Sequence, residues 1–119
     1  QRVYMYENGA PTWDAPCVTG NVSKNYTTPE GIYSLTYKQA DRVLRGAKRA
    51  DGTYEYESHV DYWMPFNGGI GFHDASWRSK FGGTIYQYSG SHGCINLPVD
   101  KAKLLYEKVY KGMPVLCHN

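Results

Sequence analysis

Long apolar runs are missing from this sequence, and no stretch approaches the roughly 20 residues of a membrane-crossing helix. Leu, Ile, Val and Phe together supply only 21 of 119 residues. In a strongly charged chain so low a share signals disorder. An excess of charge is missing too: 13 Lys and Arg stand against 11 Asp and Glu, for a net charge of +2. That balance gives no broad basic field, so no nucleic-acid partner is expected. Cysteine is scarce and odd in number, at three, with no CxxC pair. A structural zinc site of the usual spacing is therefore not expected. What is abundant is aromatic area, with 12 Tyr, 3 Trp and 3 Phe. We expect one folded domain over residues 1–119 whose core leans on aromatic side chains. The alternating segment Arg2–Tyr6 begins almost at once, without an initiator Met or a leader. We read it as the start of a domain cut from a longer precursor.

The pattern along the chain is mainly β. Val3–Tyr6 alternates and Asn8-Gly9 is a hairpin signal. A second strand is expected through Cys17–Thr19, closed by Gly20-Asn21. Thr28-Pro29-Glu30-Gly31 reads as a turn before an alternating strand over residues 32–37. Residues 38–60 are polar and turn at Asp51-Gly52, which fits either a lid hairpin or a long surface loop. Asn67–Asp74 is rich in glycine, a sign of a bulge or a close backbone approach. One helix is expected late in the chain. Pro98 and Asp100 start it, Ala102, Leu105, Tyr106 and Val109 share a face, and Gly112 and Pro114 stop it. A shorter helix is expected after His73, and a closing strand over residues 113–118. Cys17 and Cys117 sit in strand-like settings near opposite ends of the chain. A bridge between them would close a loop of about 100 residues, contributing about 4–5 kcal/mol if unstrained. The other reading is two unrelated small apolar side chains.

The densest chemistry lies in Ser91-His92-Gly93-Cys94-Ile95-Asn96. A cysteine attacks as thiolate and needs a base or cation nearby. His92 and His73 are both available, and a strand neighbouring Cys94 can present His73 from the side. Asp74 can fix the imidazole tautomer through its side chain or its carbonyl. The amides of residues 93 and 94 can form a nest for a developing oxyanion. Taken singly, each residue has a plain structural explanation; the combination is what points to acyl transfer.

That combination resembles the signature of the L,D-transpeptidase catalytic domain of the YkuD type: His73, 17 intervening residues, then Ser91-His92-Gly93-Cys94 and Asn96. Thr28-Pro29-Glu30-Gly31-Ile32-Tyr33 is similar to the family's Thr-Pro-x-Gly-aromatic segment. Tyr62-Trp63-Met64-Pro65 with Gly71-Phe72-His73-Asp74 resembles Firmicute members especially, and Gly112-Met113-Pro114-Val115 the closing strand. The resemblance implies a β-sandwich-like fold with a helix beside it, a lid hairpin near residues 38–60, and a place outside the cytoplasmic membrane. It implies Cys94 as nucleophile, His73 as base, and Asp74 or its carbonyl as the group orienting His73. It further implies an oxyanion site of Gly93 and Cys94 amides with His92, a loop shaped by Ser91, and donor contacts by Asn96. Tyr56 is the candidate lid tyrosine, and Trp63 and Trp77 are candidates to line the cleft. The implied partners are peptidoglycan stem peptides, a donor tetrapeptide and an acceptor amine, with carbapenem β-lactams as inhibitors and no cofactor. The rival readings are an L,D-carboxypeptidase, a Cys/His wall-peptide hydrolase, a wall-binding β-sandwich without catalysis, and a zinc site of His73, His92 and Cys94. The Cys17–Cys117 bridge forms no part of the family signature.

Overall fold

The computed structural model describes residues 1–118. The chain is mainly β, as expected, and two helices lie among the described residues. Strands β1 (Arg2–Glu7) and β2 (Ala10–Pro16) form a hairpin. Its turn places Asn8 at φ 52° and Gly9 at φ 80°, the left-handed pair that a two-residue hairpin of this kind requires. Strand β3 (Gly31–Ser34) pairs with the last strand, β8 (Pro114–Cys117). The third sheet carries β4 (Gln39–Arg45), β5 (Glu57–Asn67), β6 (Ile70–Asp74) and β7 (Ile95–Leu97) in that order. The β4–β5 and β5–β6 pairs are antiparallel, whereas β6 and β7 are parallel. Between β6 and β7 lies the short helix α1 (Ile85–Ser89), and α2 (Val99–Lys108) follows β7 and packs on β5 and β6.

The core gathers side chains from the first hairpin, the four-stranded sheet and α2. Met5, Trp13 and Ala15 come from the first hairpin, and Met64, Phe66 and Phe72 from the central sheet. Ile95, Leu97, Ala102, Leu105 and Val109 close it from β7 and α2. The aromatic pairs Tyr33–Phe66 and Phe66–Phe72 have ring centroids 5.4 and 5.1 Å apart. These tilted pairs supply packing that the scarce aliphatic residues do not. Glycine at position 71 is required by a close approach. A Cβ there would meet Pro65 Cα at 2.5 Å and the Met64 carbonyl oxygen at 2.6 Å, where β5 carries a bulge.

Several expectations need correcting. The second strand covers Ala10–Pro16, before the expected Cys17–Thr19. That run instead lies along β7, where Val18 and Asn96 exchange backbone hydrogen bonds of 3.0 and 2.8 Å. Strand β3 ends at Ser34; Leu35 N–H still donates to the Met113 carbonyl just before β8, and at Thr36 the chain changes partner, its N–H donating to the Pro65 carbonyl. Residues 38–60 do form a hairpin, from β4 and the first part of β5, extended by a Lys48–Tyr54 bridge. The Cys17–Cys117 bridge is not formed, and all three thiols are free. Cys17 follows the β1–β2 hairpin into the core, while Cys117 lies in the β3–β8 sheet opposite Gly31.

Candidate active site

The parallel pairing of β6 and β7 builds the site. His73 stands in register with Asn96, and Cys94 immediately precedes β7. Cys94, His73, Ser91, His92, Asn96 and Tyr56 all line one open cleft of about 250 Å³. The imidazole is buried, and its Nδ1 lies 2.7 Å from the Asp74 carbonyl oxygen. A carbonyl only accepts, so Nδ1 carries the proton and Nε2 is left as an acceptor. Burial holds the His73 pKa below its ordinary value, and the charge of Arg78 acts in the same direction. Burial also pushes the Cys94 thiol up, partly offset by a backbone hydrogen bond from Gly71. The Cys94 thiol itself donates to the Gly69 carbonyl, at 3.3 Å. Both shifts favour the uncharged forms, the thiol for Cys94 and the neutral imidazole for His73.

The Asp74 carboxylate does not face His73. It is buried and accepts the backbone N–H groups of Asp61 (2.9 Å) and Tyr62 (2.8 Å). It thereby clips β5, while its own carbonyl orients the imidazole. Trp63 pairs with His73 across β5 and β6, with ring centroids 6.0 Å apart. It is buried, donates its indole N–H to the Tyr37 hydroxyl at 3.2 Å, and backs the imidazole instead of lining the cleft. Trp77 does line the cleft, half exposed, with its ring 5.8 Å from that of His73.

The loop before Cys94 is held by its own polar groups. Gly93 N–H donates to Ser91 Oγ at 3.1 Å, and the Ser91 hydroxyl donates to the Cys94 carbonyl at 2.5 Å. The Gly93 amide is thus used inside the loop, which corrects its expected place in an oxyanion nest. Gly93 sits at φ 126°, a conformation that side-chain-bearing residues rarely adopt. Two residues absent from the sequence-based set complete the site. Thr28 accepts Gly20 N–H at 3.0 Å and donates to the Gly93 carbonyl at 2.5 Å, anchoring the loop from across the fold. Tyr26 and Tyr56 both pack against the His92 ring, each with centroids 4.7 Å away. The Thr-Pro-x-Gly segment signalled Thr28 only as part of a turn. Nothing in the local pattern signalled Tyr26. Among the described residues no group of three or more His, Cys, Asp or Glu is arranged to hold a metal ion.

A thiol and an imidazole of fixed tautomer, sharing one cleft beside a structured loop, form the arrangement that thiol-based acyl transfer requires. Residues 1–117 match the family model of the YkuD L,D-transpeptidase catalytic domain, and the chain belongs to that family. Among solved structures, it resembles the avibactam carbamoyl enzyme of Ldtfm at 38% identity and a TM-score of 0.89, over 100% of this chain and 45% of that one. The catalytic domain of the E. faecium L,D-transpeptidase acylated by ertapenem is 39% identical with a TM-score of 0.82, over 99% of this chain and 89% of that one. L,D-transpeptidase 3 from Mycobacterium tuberculosis, with a faropenem-derived adduct, is 26% identical with a TM-score of 0.72, over 100% of this chain and 48% of that one. This chain therefore spans about 45% of the length of the first of these proteins. No match was found among curated proteins.

Proposed function

We propose that residues 1–119 act as a peptidoglycan L,D-transpeptidase domain that forms 3→3 cross-links through a thioester on Cys94. The observation that carries this reading is the shared cleft of Cys94 and His73, with the imidazole held by the Asp74 carbonyl so that Nε2 can accept a proton. As Cys94 Sγ attacks the carbonyl of the diamino acid at position 3 of a tetrapeptide stem, its proton passes to His73. The Cys94 amide, the His92 ring and the Tyr56 hydroxyl face the growing oxyanion. Burial and the nearby Cys94 sulfur hold the Tyr56 pKa above its ordinary value, so the phenol stays a donor. The tetrahedral adduct collapses, His73 gives its proton to the departing amine of D-Ala, and a thioester remains. The side-chain amine of a second stem then attacks that thioester. His73 takes the amine's proton, the new amide forms, and the thiolate recovers its proton.

The family supports an action on the cell wall, and hence a place outside the cytoplasmic membrane. Among the described residues no helix is long and apolar enough to cross a membrane. The adducts on the related enzymes support acylation of Cys94 by carbapenems. The test is incubation with a disaccharide-tetrapeptide, read by mass spectrometry. A cross-linked dimer lacking one D-Ala is expected, and a tripeptide product alone would mean that water is the acceptor. Cys94→Ser should abolish the thioester, and normal turnover in that variant would overturn the mechanism. His73→Ala should slow turnover by at least ~100-fold, the usual scale for a general base.

A further inference from the structure

Arg78 has no part in the chemistry above, yet it lines the same cleft as His73, Trp77 and Cys94. Among the described residues it is the one permanently charged side chain in that lining, and no carboxylate lines the cleft. Its backbone N–H closes the turn after β6 on the Ala75 carbonyl, at 3.1 Å, which sets the side chain just past His73. One corner of the guanidinium is fixed, because Nη1 donates to the Ser89 carbonyl at 2.7 Å. Nε also has no hydrogen-bond partner, but protein atoms shield it from solvent. An Arg held at Nη1 still has its charge and the Nη2–H donors to offer a carboxylate that enters the cleft.

Resting on the transpeptidase reading, we propose that Arg78 binds the free α-carboxylate of the residue that leaves the donor stem, and so selects stems ending one residue beyond the attacked carbonyl. The leaving residue receives its proton from His73, so its carboxylate, only one Cα farther along, must lie on the His73 side of the cleft. Arg78 occupies that side, and its charge is felt at the imidazole. A stem one residue longer offers a neutral amide carbonyl in the same place and loses the charge-assisted pair. Binding the carboxylate also offsets the Arg78 charge, the lesser of the two effects that lower the His73 pKa, while burial, the larger, remains. A polar group built to meet a partner discriminates against a substrate lacking it. Hydrogen bonds to charged groups place that discrimination at roughly 10–150-fold.

The experiment compares three tetrapeptide stems with this chain. One has every carboxylate free, one is amidated only at its C-terminus, and one is amidated only at its other carboxylates. Release of the terminal residue is measured as kcat/KM. The wild type should favour the first over the C-terminal amide by roughly 10–150-fold, and should treat the third like the first. Arg78→Gln should bring the acid-to-amide ratio to within ~3-fold of unity by losing rate on the acid alone, and Arg78→Lys should restore part of it. A general loosening of the cleft would slow both peptides and leave their ratio unchanged, so the ratio separates recognition from folding. If Arg78→Gln fails to fold, the wild-type and Arg78→Lys ratios still decide. A wild-type ratio near one, an unchanged ratio in the variants, or a loss on the third peptide instead of the second would overturn the assignment. Wild-type protein that turns over none of the peptides, while iodoacetamide still alkylates Cys94, would overturn the transpeptidase reading and this inference with it.

Discussion

Thr28→Val is the sharpest test of how the Cys94 loop is held. Valine keeps the size and β-branching of threonine and removes only the hydroxyl. That hydroxyl joins two distant backbone groups, accepting from Gly20 N–H and donating to the Gly93 carbonyl. Both glycines are buried. A Cβ at Gly20 would lie 1.7 Å from the Tyr26 carbonyl oxygen, so that backbone has no space to turn toward another partner. Each orphaned group costs about 1–3 kcal/mol. Thr28 itself is half-buried, so water reaches part of the gap and the lower half of that range applies. The sum over the two groups is about 2–4 kcal/mol. A chain of this length loses about 4 °C of Tm per kcal/mol, so the melting point should fall by about 8–16 °C. At 25 °C the folded variant should alkylate Cys94 with iodoacetamide at a changed rate and form ertapenem adduct about 10-fold more slowly, on the scale of one lost hydrogen bond to the loop. Thr28→Ser keeps the hydroxyl and should return most of both. A Thr28→Val protein melting within ~2 °C of the wild type, with an unchanged acylation rate, would refute the anchoring role.

Asp74→Asn should lower stability by about 2 kcal/mol, because a charged acceptor of two β5 amides is lost, yet slow acylation less than about 3-fold, since the carbonyl still orients His73; thermal melts beside ertapenem acylation kinetics check both. Gly93→Ala should cost about 1–2 kcal/mol and impair acylation more than it impairs folding, because φ 126° is strained for alanine and its Cβ would press on Ile70 at 3.3 Å. Intact mass under non-reducing conditions should show three free thiols, with no two-hydrogen change on adding reductant. The pKa of His73 is depressed in the fold, so the unfolded chain binds the extra proton first as pH falls. Stability should accordingly be full above about 6.5, the ordinary histidine value, and decline as pH drops from there toward the folded-state pKa. The acid limb of acylation should likewise lie below that value, and a limb at or above it would contradict a buried neutral base.

Local chemistry was legible in the sequence where neighbouring residues settle it. Asn8-Gly9 marked its hairpin because only such residues accept the left-handed pair of φ values. The face of Ala102 and Leu105 marked α2, since those side chains are buried together. His73 and the Ser91–Asn96 run could be picked out because their residue types are a poor choice for packing alone. What escaped notice depends on partners far along the chain. Whether the carboxylate or the carbonyl of Asp74 would meet His73 turned on β5, whose Asp61 and Tyr62 amides claim the carboxylate. Whether the Gly93 amide was free turned on the rotamer of Ser91. Trp63 looked like a cleft residue because it is aromatic and close in pattern to the motif, but its register places it behind the imidazole. Cys17 and Cys117 share strand-like settings near opposite ends of the chain, yet Cys17 N–H donates to the Gln1 carbonyl while Cys117 pairs with Gly31, and both thiols stay free.

The 17-residue gap between His73 and Ser91 has a topological reason. Two strands that lie side by side in parallel need a crossover of a dozen or more residues, whereas an antiparallel pair needs only a turn. The pairing of β6 with β7 is parallel, and it sets His73 in register with Asn96, two positions past the thiol. The chain between them must leave one end of the sheet and return to the other. That excursion is not idle: it carries Trp77 and Arg78 at its start, α1 in its middle and Ser91 with His92 at its close, and all four of those side chains line the cleft. The detour demanded by parallel pairing is therefore also the wall of the site. A crossover too short to support parallel pairing would lose the His73–Cys94 juxtaposition and the cleft together. The spacing between the two halves of the motif is thus as much a structural requirement as the residues at either end.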